Sequence, residues 1–267
     1  MAKSTRKKFF SLSILSILLV LFCCLMSCGN KEGSTDIDAN SRVLTLQMES
    51  PTTTGSTTLY AGQSAIITAT VTDGKPTPDP VVGEKVTFRV LNNSDATIVA
   101  INGGITDASG KASALYTAGK STPTLEINET IQASVADASS ILIVTRTGII
   151  DDQIDEITAS STTVSESDVS IITAKIAHKG IYGEISSQTI TFSIPINNSG
   201  ASLVDGDGVH YSSITMPVNL PWNTSLEVSI AYQAGTSNSD KDVQDVVRAN
   251  LSNDYSRAII ITRTASP

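Results

Sequence analysis

Reactive side chains are few in this sequence, and they are unevenly placed. All three cysteines, Cys23, Cys24 and Cys28, fall within six residues, so no disulfide can brace the long remainder of the chain. The two histidines, His178 and His210, stand in Ala177-His178-Lys179 and Val209-His210-Tyr211, neither of which is a nucleophile elbow or a metal frame. Both read as surface or turn residues. Zinc lacks its cysteine pairs and histidine spacing. Calcium has more to draw on, because oxygen ligands are plentiful. Asp205-Gly206-Asp207-Gly208 has the acid spacing of half a calcium loop without the closing glutamate, and Asp151, Asp152 and Asp155 form a second acidic group. Acidic turns also serve solubility alone, so these five aspartates are weak metal candidates and no cofactor is expected. Aromatic residues supply the remaining candidates. Tyr211, Trp222 (the only tryptophan) and Tyr232 could form a ligand surface of the kind that anchors protein interfaces or sugars. The competing expectation is that the tryptophan belongs to a core, and that Tyr232 and its counterpart Tyr116 are corner tyrosines.

The cysteines sit behind a recognisable leader. Lys3, Arg6, Lys7 and Lys8 make a basic start, and residues 9–26 are apolar apart from three serines and two cysteines. A basic head, an apolar core and small residues after it read as a secretory signal rather than as part of the fold. Eighteen residues could just span a bilayer, but the polar Ser27-Cys28-Gly29-Asn30 follows with no basic stop-transfer cluster. Leu25-Met26-Ser27-Cys28 resembles the bacterial lipobox. The resemblance implies cleavage before Cys28, diacylglycerol on its thiol, and fatty acylation of the new amino group. Several buried acyl chains hold a protein firmly to a membrane where one does so only marginally. In diderm bacteria, Gly29 after the lipidated cysteine further implies the outer membrane.

Charge narrows the partners. The 267 residues contain 18 basic and 26 acidic side chains, for a net charge of −8. Four of the basic residues belong to the leader, which leaves the rest more acidic still. That balance argues against nucleic acid and against lying flat on anionic lipid.

The elements that must position any site are strands. Short runs rich in Val, Ile and Thr alternate in polarity and are bounded by Gly, Pro, Asn and Asp, as in residues 42–48, 65–71 and 85–90. No long stretch has a helical period. The chain also repeats itself. SAIITATVTDG (64–74) returns as VSIITAKIAHKG (169–180), and GEKVTFRVLNNS (83–94) as SSQTITFSIPINNS (186–199). SALYTAGKS (113–121) returns as SIAYQAGTS (229–237), and both copies close on TRT. The offset grows from about 105 to about 117 residues, which places an insertion after the central strand of the second copy. The expected fold is all-β, with two tandem immunoglobulin-like β-sandwiches. Residues 67, 69 and 71 with 86, 88 and 90 should form one core, and residues 172, 174 and 176 with 190, 192 and 194 the other.

Both copies resemble bacterial immunoglobulin-like domains of group 1, the invasin and intimin type. The first carries the pattern in ATVTD (69–73), VVGEKVTFRV (81–90), Thr106-Asp107-Ala108-Ser109-Gly110-Lys111-Ala112 and ETIQASV (129–135). In the second copy the corresponding stretch, from Val209 to Trp222, has no TD-x-x-G-x-A turn. The expected divisions are a lipoprotein signal peptide at 1–27, a flexible linker at 28–40, a first sandwich at 41–149, a joint at 150–155 and a divergent second sandwich at 156–267. So short a joint suggests a fairly straight rod.

Function follows as an expectation. The family resemblance implies a non-enzymatic, lipid-anchored envelope protein whose rod presents or spaces an interaction surface, with adhesion as the implied role. Its partners would be membrane lipid through Cys28 and a protein or glycan of the envelope or of a surface, and not nucleic acid. The alternative is a carbohydrate-binding or surface-structure module that uses the divergent second copy.

Overall fold

The structure is a computed structural model that describes residues 41–49, 57–92, 94–120, 126–148, 150–180 and 184–266. Cys23, Cys24 and Cys28 lie outside the described residues. The first half of the fold has strands β1 (Arg42–Glu49), β2 (Thr58–Tyr60), β3 (Ser64–Asp73), β4 (Thr87–Val90), β5 (Thr97–Ala100), β6 (Lys111–Thr117), β7 (Ile127–Val135) and β8 (Ala138–Thr147). The second has β9 (Asp152–Ala159), β10 (Thr163–Val164), β11 (Val169–His178), β12 (Ile185–Ile196), β13 (Ser202–Val204), β14 (His210–Tyr211), β15 (Ser213–Pro221), β16 (Ser225–Gln233), β17 (Val243–Leu251) and β18 (Ser256–Arg263).

These strands make two tandem immunoglobulin-like sandwiches. The first pairs sheet β1-β3-β6-β5 with sheet β2-β8-β7-β4, and the second pairs β14-β13-β16-β11-β9 with β10-β18-β17-β12-β15. In each copy the leading segment changes sheets. β1 runs antiparallel to β3 and β2 then runs parallel to β8; β9 and β10 do the same against β11 and β18. Inward positions follow the period of two that a strand imposes. Ile67, Ala69, Val71 and Val86 are fully buried in the first core, and Ile172, Ala174, Ile176, Ile190 and Phe192 in the second, with Phe88, Val90 and Ile194 half-buried beside them.

The insertion in the second copy forms strands. β14 extends one sheet through β13, and β15 adds an edge to the other by pairing along β12 from Ile185–Pro221 to Ser193–Ser213. In the first copy the TD-x-x-G-x-A segment is a tight turn. The Asp107 carboxylate accepts the amides of Ser109 at 2.8 Å and Lys111 at 2.9 Å. Gly110 has φ +70°, and a Cβ there would meet the Val71 carbonyl at 2.5 Å. Only glycine satisfies both constraints.

The straight rod suggested by the short joint is not what the chain forms. The two sandwiches pack face to face along the β17–β18 ribbon. Position 66 pairs with 115 on the outer face of the first sandwich, and 246 with 260 on the outer face of the second. Ile101, Leu115 and Val246 are buried together at this seam, with Ile196, Ala258 and Ile260 packed against them. Burying each large apolar side chain contributes on the order of 1.5–3 kcal/mol before ordering costs. At one end of the seam Tyr255 stacks on Tyr60, with ring centroids 6.5 Å apart, and donates its hydroxyl to the Ala61 carbonyl at 2.9 Å. Ser256 donates to the Ser64 carbonyl at 3.0 Å, and Gln63 to the Asp254 carbonyl at 2.8 Å. At the other end, Asn102 and Gln244 bond each other. Packing of sheets, rather than joint length, holds the two copies together.

Candidate functional site

The aromatic candidates do not form one surface. Tyr211, on β14, is 39% exposed and donates its hydroxyl to Asp205 at 3.0 Å. That bond, with the nearby carboxylate, raises the phenol above its usual range. Asp205, Tyr211, Ser213, Ile214 and Thr215 line a shallow cavity of about 260 Å³. Trp222 is half-buried just beyond the far end of β15, where its indole donates to the Gly180 carbonyl at 2.8 Å. The whole nine-residue β15 therefore separates the two rings, a span of about 30 Å.

Tyr232 requires a correction. Expected as part of a ligand surface, it is wholly buried, and its hydroxyl donates to Asp245 at 2.6 Å. Burial, reinforced by that carboxylate, pushes its phenol far above the ordinary range. A sugar platform built from all three aromatics loses its geometry.

The Asp205-Gly206-Asp207-Gly208 stretch repeats the bonding of the first copy's turn. Asp205 accepts the amides of Asp207 at 3.0 Å and Val209 at 2.9 Å, as Asp107 does two and four residues on. Gly208 matches Gly110, with φ +78° and its amide bonded to the Asp205 carbonyl. The second copy thus keeps a D-x-x-G turn, displaced in sequence, and Asp205 is engaged in it. The Val209 amide is the chief cause of a lowered Asp205 carboxyl.

The joint aspartates diverge. Asp151 is exposed. Asp155 faces the Lys179 ammonium at 3.5 Å and accepts from Gln153 at 2.5 Å. Asp152 is buried and meets the His178 Nδ1 at 2.5 Å, Gln188 at 2.7 Å and the Ser186 hydroxyl. His178 is the second correction. It is a 5% exposed core residue rather than a surface one. Serine and histidine both converge on one carboxylate, so the histidine does not stand between nucleophile and acid as a hydrolytic triad demands. His210 bonds the Ser202 hydroxyl at 2.7 Å on an exposed strand. Among the described residues, no three His, Cys, Asp or Glu side chains gather as a metal would require.

A repeated buried cluster is absent from these expectations. Tyr116, Glu129 and Arg146 in the first sandwich occupy the repeat positions of Tyr232, Asp245 and Arg263 in the second, and all six are at most 1% exposed. The Arg146 guanidinium meets Glu129 at 2.9 Å and donates to the Gly119 carbonyl at 3.1 Å. Burial nevertheless raises the Glu129 carboxyl, against the opposing pull of Ser94 and Arg146. Asp245 accepts the amides of Asn198 at 2.6 Å and Ser199 at 3.0 Å besides Tyr232. Arg263 donates to the carbonyls of Ser237, Asn238, Lys241 and Thr264. These groups are consumed in holding loops to strands.

No protein-family model matches the chain, and no curated protein does. Solved structures similar to it include the Yersinia pseudotuberculosis adhesin InvE, at 16% identity and a TM-score of 0.31, covering 82% of this chain and 58% of that one. The Escherichia coli adhesin FdeC matches at 13% identity and a TM-score of 0.29, covering 86% and 65%. Domains 4–9 of the surface layer protein SbsC match at 14% identity and a TM-score of 0.32, covering 85% and 32%. The chain spans less than two thirds of each, and scores this low carry no functional argument.

Proposed function

We propose that this chain is a non-enzymatic envelope protein, anchored by lipid on Cys28 to the outer membrane, whose paired sandwiches hold an interaction surface clear of the lipid. The seam along β17–β18 is the observation that carries this reading. Polar and apolar contacts at both ends of one ribbon make the pair a stiff body, which suits presentation or spacing better than a hinged chain would. The buried Tyr–acid–Arg clusters support it as well, since they spend reactive side chains on rigidity. The partner is a protein or glycan of the envelope or of an opposing surface, and adhesion is the role such a body would serve.

Metabolic labelling with a fatty-acid analogue tests the anchor. The wild-type chain should take up label, whereas Cys28→Ala should take up none. Label retained by Cys28→Ala, or an unlabelled wild-type chain, contradicts the proposal.

A further inference from the structure

At the joint end of the seam, the two sandwiches leave a cleft of about 340 Å³ between them. Gly62 and Lys120 line it from the first, and Asp155, Lys179, Tyr255 and Arg257 from the second. Three cations face one carboxylate there, in a chain whose net charge is −8. We propose that this cleft binds a small oxyanion-bearing ligand, a carboxylated sugar or a phosphorylated compound, held by Lys120 and Arg257 from opposite sides of the seam.

The disposition of donors carries the argument. Arg257 is only 7% exposed. Its Nε donates to the Gly62 carbonyl at 2.8 Å and its Nη1 to the Asp155 carbonyl. Two backbone acceptors therefore fix the plane of the guanidinium. Nη2 takes no acceptor among the described residues, so a buried and oriented cation keeps donors to give. Such a group suits carboxylate and phosphate oxygens. Lys179 is shared with Asp155. Lys120 is exposed, and its ammonium forms no ion pair among the described residues.

Gly62 keeps the cleft open. At φ +77° it takes a conformation that other residues resist, and a Cβ would lie 3.3 Å from Arg257 Nη2 and 3.0 Å from the Tyr255 hydroxyl. Any side chain there would cover the uncommitted donors. The volume falls at the lower end of the range for small-molecule sites. Because the lining comes from both sandwiches, an occupant would also brace the seam. This site is independent of the anchor at Cys28.

Calorimetric titration of the full chain in detergent, with sodium glucuronate and with inorganic phosphate against sodium chloride of equal ionic strength, tests the proposal. Saturable binding of one equivalent is expected, weakened about tenfold or more in Lys120→Gln (one lost charge-assisted bond) and unchanged in Lys111→Gln, an exposed lysine outside the cleft. Glucuronate alone would identify a carboxylated sugar as the ligand class, phosphate alone a phosphorylated one, and both a general oxyanion site. Failure of both anions to saturate beyond the chloride control overturns the proposal. So does equal weakening by Lys111→Gln, which would mark a diffuse charge effect.

Discussion

Asn102 and Gln244, 142 residues apart, bond each other twice. The Asn102 amide donates to the Gln244 side chain at 2.7 Å, and the Gln244 amide donates to the Asn102 side chain at 2.7 Å. Asn102 can do this because it takes a left-handed φ of +49°, which asparagine tolerates better than most residues. The reciprocal pair closes the far end of the seam, while Tyr255 and Arg257 close the near end.

Gln244→Ala removes the side-chain half of this clasp and leaves the Asn102 amide exposed to water. Stability should fall by about 1 kcal/mol, the ordinary net worth of such a bond. Amide exchange should accelerate at Asn102 and Gln244 but not at Tyr255, as hydrogen-exchange NMR would report.

Arg146→Ala leaves Glu129 buried without its cation. Removing one partner of a buried pair costs about 3–5 kcal/mol, which denaturant titration of the variant would measure. The pH dependence has the opposite sign to the usual carboxylate case. Burial raises the folded Glu129 carboxyl above its ordinary range, so the folded chain holds that proton more tightly than the unfolded chain does. Its contribution is therefore most favourable at acid pH and declines as pH rises through the folded value. Glu129→Gln should flatten that decline.

Asp205→Asn weakens the β13–β14 turn. The folded Asp205 carboxyl lies below its usual range because it accepts from the Val209 amide. Its stabilisation is complete above the unfolded value of about 3.9 and is lost as pH falls through the lower folded value. Val209 and Tyr211 resonances should report that acid transition in the wild type, and the asparagine variant should lack it.

Much of this fold is legible in the sequence. Alternation marks the strands, the ordered echoes between residues 64–74 and 169–180 mark the duplication, and the growing offset marks the insertion. The seam is harder to read because an outer-face isoleucine resembles an inner-face one. A signal exists, though. Ser64, Ala65, Ile66 and Ile67 are all buried, and a strand covered on both faces loses its alternation. The Tyr–acid–Arg clusters are hard to read for a different reason. Glu129 and Asp245 are acids, a type that reads as solvent-facing, yet alternation puts them in register with Ile131, Ala133 and Val135 and with Val247, Ala249 and Leu251, and both copies carry an arginine in the closing TRT. Tyr232 lies near the insertion, but its match with Tyr116 at the same repeat position points to architecture. His178 shares the register of Ile172, Ala174 and Ile176 on β11, and that alternation, not its residue type, marks it as buried.

The seam makes the two sandwiches one stiff body. Backbone residual dipolar couplings measured on the chain in a weakly aligned medium test it most directly. One alignment tensor should fit the couplings from β1–β8 and from β9–β18 together. Two tensors of different magnitude or orientation would mean that the sandwiches move independently, and would rule out a single stiff body.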